Sequence, residues 1–379
     1  MKELNMMCVG NTISFNNFLS IFSAAGTNTN TSLNMPQALP QVELQNLLMS
    51  AGPKRLSLQF SGLSANTDQL IALLSAAVGP ATKADISSIN NLPLSTLPQV
   101  AALLAGKERS ISIDCATASS ASAVAIINMF TDSSTSCTVV GLNALGAGRV
   151  NDVIAAIGTK PYTITLDGKL STPAAIIDCV TKLTASNLEL SITNGGSLSV
   201  STLSQVLSSV GNRKASLALD VLDINPTGIL AALGVAGVNT DVSIASAHTF
   251  TTAELTQVRR LTTGKRLSLE FNGRQLGVDP VNGDKLQQAV AASDMLTTIT
   301  VNTAQYPPLS YLLPIIQNSS NTNLVVVYNG GQLSDTDANG NVVVRGIEVA
   351  AATTTITVTS VGDGSYSIDN YLKILSAAG

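Results

Sequence analysis

The sequence predicts an α/β solenoid, an open right-handed array with parallel strands on a concave face and short helices on a convex one. Three observations carry that prediction. Short segments of alternating apolar and polar residues recur along the whole chain, most are followed by a segment with apolar residues three and four apart, and the spacing is nearly constant. One strand and one short helix cannot bury both apolar faces alone, so neighbouring units must stack and share a core.

The strand-like segments are RLSLQF, ADISSI, SISIDC, CTVVGL, YTITLD, LELSIT, ASLALD, DVSIAS, RLSLEF, TITVNT, NLVVVY and TITVTS. Their alternation is the period-2 signature of a β-strand. Their inward anchors are Leu58, Ile86, Ile113, Val140, Ile164, Leu190, Leu219, Ile244, Leu269, Val301, Val326 and Val358. The gaps run 28, 27, 27, 24, 26, 29, 25, 25, 32, 25 and 32 residues. Two further units, anchored near Cys8 and Leu33, complete about fourteen, and residues 1–379 read as a single repeat domain.

Between strands lie helical segments such as DQLIALLSAAVG, NDVIAAIG, STLSQVLSSVG and AELTQVRRLTTG. Several begin near a residue suited to N-capping (Thr67, Ser95, Ser171, Thr251), and many stop at a glycine, among them Gly52, Gly158, Gly211 and Gly264. The two gaps of 32 mark insertions. Residues 273–285 are rich in turn formers and predict a loop before a helix at Leu286. Residues 330–346 predict a turn followed by Val342, Val343 and Val344 in place of a helix. This turn carries D-x-D-x-N-G, so Asp335, Asp337 and Asn339 are a calcium candidate; the twelfth position of an EF-hand loop is Gly346 rather than Glu, which favours a solvated Asx turn. Neither end has a polar capping unit, which predicts self-association through the ends or a longer parent chain.

Composition narrows the function. Of the residues 45% are hydrophobic, 12% charged and 3% aromatic, the net charge is −4, and there is no Trp and one His. An acidic balance argues against a chain-wide nucleic-acid footprint, and scarce aromatics against base or sugar stacking. His248 sits in SAHTFT with no nucleophile in a neighbouring repeat, so it reads as a turn histidine rather than a general base. The glycines of GLNALGAGRVND match neither phosphate-loop pattern and read as a strand-to-helix turn. Cys8, Cys115, Cys137 and Cys179 are too sparse for a disulfide scaffold, and Cys/His metal spacing is absent. No cofactor is expected, and the chain is expected not to be an enzyme. Without an apolar N-terminal region or an 18-residue apolar run, a soluble chain is expected, cytoplasmic or exported into a host cell by a signal-less route.

The position three residues after the inward anchor holds Asn143, Asn272 and Asn329, with Asp167 and Ser61 as weaker substitutes, and Leu63, Leu145 and Ile224 follow where a leucine is due. In period, strand–helix order and these positions the chain resembles the leucine-rich-repeat family, in a degenerate, ribonuclease-inhibitor-like form with a horseshoe shape. That resemblance implies protein binding. The low-aromatic repeats also resemble repeat effectors that bacteria deliver into host cells.

The outward strand positions supply the candidate site. Gln59, Asp85, Asp114, Thr165, Glu189, Asp220, Glu270 and Asn302 fall on the concave face, with five acids and no base among them. Such a hydroxyl-rich, acidic band suits a basic protein or peptide partner. Alternatives are a self-associating structural array, the recognition part of a longer enzyme, and a solvated face without a partner. Ten of the twenty Lys and Arg, including Lys54, Arg55, Lys83, Arg109, Lys160, Arg213, Lys214 and Lys265, lie between a helix end and the next strand. Helix C-termini favour cations there, and a rim for anionic lipid or polyanion is the functional alternative.

Overall fold

A computed structural model describes residues 3–27, 29–78, 81–105, 108–130, 135–158, 160, 162–170, 172–183, 189–278, 280–333, 339–362 and 366–378. Its strands are β1 (Glu3–Val9), β2 (Thr29–Asn34), β3 (Leu56–Ser61), β4 (Thr82–Ser87), β5 (Arg109–Asp114), β6 (Thr135–Val140) and β7 (Thr163–Asp167). They continue as β8 (Glu189–Thr193), β9 (Ala215–Asp220), β10 (Thr240–Ala245), β11 (Leu267–Asn272), β12 (Thr297–Asn302), β13 (Asn323–Asn329) and β14 (Thr354–Val361). The expected alternation places the core. Leu56, Leu58 and Phe60 of β3 are buried, as are Ala215, Leu217 and Leu219 of β9, while their neighbours are half-exposed. One anchor is displaced by a residue: Cys137 and Val139 carry the buried face of β6, and Val140 points the other way. A one-residue slip exchanges the faces of a strand, and the paired valines of CTVVGL made both registers compatible with the pattern.

Helices follow the strands as their apolar spacing requires. Leu203, Val206, Leu207 and Val210 bury one stripe of the helix Val200–Val210, whose N-terminus is capped by the Ser199 hydroxyl accepting from the Thr202 amide. Thr251 and Glu254 form a reciprocal capping box on the helix Thr252–Leu261. Such a cap contributes about 1 kcal/mol.

The expected open horseshoe is corrected by the strand order. β1 pairs in parallel with β14, Glu3 opposite Thr355 and Met6 opposite Val358, and the fourteen strands form a closed parallel barrel. An open parallel sheet leaves unpaired N–H and C=O groups along both edges, and closure removes them. Leu4, Met6 and Cys8 at one end of the chain and Ile356 and Val358 at the other are buried together, and the helices Phe15–Ala24 and Ile368–Ala378 pack against each other beside them. The two ends therefore cap one another, and the exposed edges on which end-to-end self-association rested are not there. The chain divides into two compact units, Met1–Phe60 with Asp68–Asp85 and Leu269–Gly379, and Ser61–Thr67 with Ile86–Ser268.

The first insertion is helical where a loop was expected, and the valines of the second lie in a helix, the turn expected before them falling mostly outside the described residues. Residues 273–285 contribute to helices Gly273–Val278 and Pro280–Ala291, and the valine run belongs to the helix Asn339–Val349. Val343 and Ile347 are buried one turn apart, so this segment obeys the helical period despite its β-branched residues.

The repeat has a second period. Met35, Ser88, Gly141, Asn194, Ser246 and Thr303 adopt left-handed backbone just after an even-numbered strand, and Ser360 does so near the end of β14, spaced 53, 53, 53, 52, 57 and 57 residues apart. After odd-numbered strands the chain passes close to these residues. A Cβ on Gly10, Gly62 or Gly168 would lie 2.3, 2.2 or 2.3 Å from the carbonyl oxygen of Met35, Ser88 or Asn194. Side-chain bridges follow the same doubled period. Asn143 exchanges hydrogen bonds with the backbone of Asp167 at 2.8 and 2.9 Å, Asn90 accepts from the Asp114 amide at 2.8 Å, and Gln305 accepts from the Asn329 amide at 3.3 Å.

Candidate functional site

The strand positions predicted as a binding face do point away from the helices, which in a closed barrel is the inner face. Gln59 and Asn302 are half-buried, Glu270 is exposed, and Thr165 is buried. The acids are engaged within the fold. Asp85 accepts from the Ser57 hydroxyl at 2.8 Å, and Glu189 pairs with Lys214 at 3.0 Å. Asp114 Oδ1 accepts from the Ala116 amide at 2.9 Å, and Asp220 Oδ1 from the Leu222 amide at 3.0 Å. Each of the last two closes a turn at the end of its strand, the Asx geometry that relieves an otherwise orphaned N–H.

Asp167 completes that set. Its Oδ1 accepts from the Lys169 amide at 2.7 Å and from Asn194 Nδ2 at 2.9 Å. Asp114, Asp167 and Asp220 end β5, β7 and β9, 53 residues apart each time. In the sequence, anchoring β7 on Ile164 makes Asp167 the position three residues on, whereas it is the outward neighbour of buried Leu166, as Asp114 is of Ile113 and Asp220 of Leu219. The 53-residue spacing was the signal that groups the three. Equivalent positions elsewhere do the same local work without charge: Ser61 accepts from the Leu63 amide at 3.3 Å, Asn272 from Arg274 at 3.0 Å and Asn329 from Gly331 at 3.0 Å. Six odd-numbered strands thus end on a turn-capping oxygen, β1 ending on Val9 instead, and three of the six carry a charge.

The basic rim is largely explained by helix ends. Lys54 donates to the carbonyls of Phe22 and Ser23, Lys160 to Ala156, Arg213 to Val180 and Leu183, Lys265 to Ala236, and Arg109 to Leu104. These carbonyls lie at or just beyond helix C-termini, where the backbone leaves its acceptors unpaired. Arg55 is not part of that set and lines a pocket at the N-terminal ends of β1–β4.

The four cysteines are buried and free. Burial pushes Cys8, Cys115 and Cys137 up to about 12 and Cys179 up to about 11, so none is a nucleophile at neutral pH. His248 is buried in the turn Ala247–Thr249, at the bridging position two residues after Ser246. Among the described residues, no three His, Cys, Asp or Glu side chains group as a metal site would require. Asp335 and Asp337 of the calcium candidate lie outside the described residues, and Asn339 opens the helix Asn339–Val349. Among the described residues, no helix is long and apolar enough to cross a membrane.

No family model and no curated protein matches the chain. Among solved structures, the Rad7 and Elc1 complex in yeast is similar over 92% of this chain and 89% of that chain, at 10% identity and a TM-score of 0.44. QR15, an aldolase, is similar over 55% of this chain and 93% of its own, at 13% identity and a TM-score of 0.23. A truncated 3-deoxy-D-arabino-heptulosonate 7-phosphate synthase from Thermotoga maritima is similar over 69% and 84%, at 10% identity and a TM-score of 0.23. At these values they are likenesses and nothing more. One expectation from the sequence is nevertheless corrected. The expectation that the chain is not an enzyme is withdrawn with the open repeat array it accompanied, because the parallel strands close into a barrel.

Proposed function

We propose that the chain binds a cationic, extended segment of a protein partner at the C-terminal ends of β5, β7 and β9, with Asp114, Asp167 and Asp220 as its anchors. The observation behind this reading is the surplus charge. Neutral Ser61, Asn272 and Asn329 cap the same turn, so the turn does not require a carboxylate, yet three alternate strands carry one. The register pairs Asp114 with Val140 and Val139 with Ile164, so Asp167 lies two strands across and two residues further along; with strands about 4.8 Å apart and about 3.3 Å per residue, successive acids are about 12 Å apart, close to four residues of extended chain. A segment with Lys or Arg at every fourth position matches that interval and keeps the bases on one face of the extended chain. Lys169, the base at this rim, is drawn to Asp223 at 3.7 Å.

Each exposed carboxylate–ammonium contact contributes about 0.2–1 kcal/mol, so three give an affinity that is modest and falls with salt. The test replaces all three acids as Asp114→Asn, Asp167→Asn and Asp220→Asn, which keeps the capping oxygens and removes the charge. Fluorescence anisotropy with a synthetic peptide carrying lysine at every fourth residue should show affinity reduced about tenfold in the triple variant. Equal affinity of both proteins would refute the proposal.

A further inference from the structure

We infer that the pocket at the N-terminal ends of β1–β4 binds a small organic oxyanion, a carboxylate or phosphate, through Arg55. The inference starts from a hydrogen-bond relay that runs one way across the strands. Thr357 Oγ1 accepts from Asn5 Nδ2 at 3.4 Å, Asn5 Oδ1 accepts from Asn30 Nδ2 at 3.0 Å, and Asn30 Oδ1 accepts from Arg55 Nη1 at 3.4 Å. Each carboxamide oxygen is taken by the nitrogen of its neighbour, so the relay ends on a group that has only donors to offer. A guanidinium carries five N–H donors in a planar fork. Among the described residues Arg55 turns one of them to a protein oxygen, at the long distance just given, and pairs with no carboxylate.

The nearby acids are committed elsewhere: Glu3 Oε1 accepts from Asn30 Nδ2, and Asp85 from Ser57. Lys83 brings a second positive charge to the same wall, and Ser32 supplies a hydroxyl. What remains unfilled is therefore donor capacity around one fixed cation, which selects an acceptor-rich anion; oxyanions take the guanidinium fork bidentately. The pocket volume is about 240 Å³, room enough for a small organic anion.

The site is separate from the acidic row, and its test keeps the two apart. Inorganic phosphate and malonate are titrated by calorimetry at constant ionic strength, with chloride as the control. Saturable binding of at least one probe is expected, and which one binds distinguishes a phosphate from a carboxylate ligand. Arg55→Gln should weaken it about tenfold or more. Ser32→Leu, which fills the pocket and leaves every charge in place, should abolish it, while the Asp114→Asn, Asp167→Asn, Asp220→Asn protein should bind as the parent does. Arg55 is exposed, so its variant retains the fold, and a melting curve without probe verifies that. Absence of saturable binding above chloride, or unchanged affinity in Arg55→Gln, overturns the inference.

Discussion

The close passage between odd and even strand ends can be tested at Gly62. An alanine there puts Cβ 2.2 Å from Ser88 O and 3.0 Å from Ser88 C, both backbone atoms with no rotamer to yield. The two segments are also tied by the Gly62 amide donating to Ser87 O at 2.8 Å. Relief must separate them and stretch that bond. Overpacking costs about 1–3 kcal/mol and a lost backbone hydrogen bond about 1 kcal/mol, so Gly62→Ala should destabilise by about 2–4 kcal/mol. Two other glycines isolate the steric part. Gly52 has φ +61° with nothing within 4 Å of an added Cβ, so Gly52→Ala pays only for the left-handed conformation, about 1–2 kcal/mol. Gly234 is helical with equally open surroundings, and Gly234→Ala should stabilise by about 0.5–1 kcal/mol. Urea titration followed by far-UV circular dichroism ranks the three midpoints. If Gly62→Ala loses no more than Gly52→Ala, the rigid close approach is wrong.

Two other outcomes follow from the buried thiols and from the helix ends. At pH 8 the native protein should resist a thiol reagent at all four cysteines and react at all four once unfolded; fast labelling of the native state would contradict their burial. Because burial raises these pKa values above the ordinary 9.0, the unfolded chain loses its thiol protons first; their contribution to stability is complete below pH 9 and declines as pH rises toward 12. At the helix ends, Arg213→Met removes donors to Val180 O at 2.8 Å and Leu183 O at 2.5 Å and should cost about 1–3 kcal/mol in thermal unfolding. Lys214→Met, which breaks only an exposed pair with Glu189, should cost less than about 1 kcal/mol, and equal losses would discount the carbonyl contacts.

How far the site was legible in the sequence depended on how local its causes were. Asp114 and Asp220 were placed on the correct strand face because alternation determines which way a side chain points. Their engagement in turns was not visible, since an Asx turn needs the backbone two residues on to curl back. Asp167 was less legible because Ile164 and Leu166 both face inward, and the alternation alone does not say which of them matches Ile113 and Leu219. Arg55 looked like one more helix-end cation beside Lys54; only the strand pairing shows Lys54 reaching the carbonyls of the helix Phe15–Ala24 while Arg55 meets Asn30.

The sequence by itself determined the units: fourteen strands, the helices between most of them, and the buried side of nearly every strand, because each follows from a periodicity of two or of 3.6 within a few residues. The tertiary structure decided that the array closes. Closure depends on whether the first and last strands come within pairing distance, and that is the accumulated result of small rotations between units, with no local pattern to record it. Once β1 meets β14, the backbone groups and apolar residues that read as exposed ends are satisfied by each other, and the face that read as an open concave surface becomes the inside of a barrel.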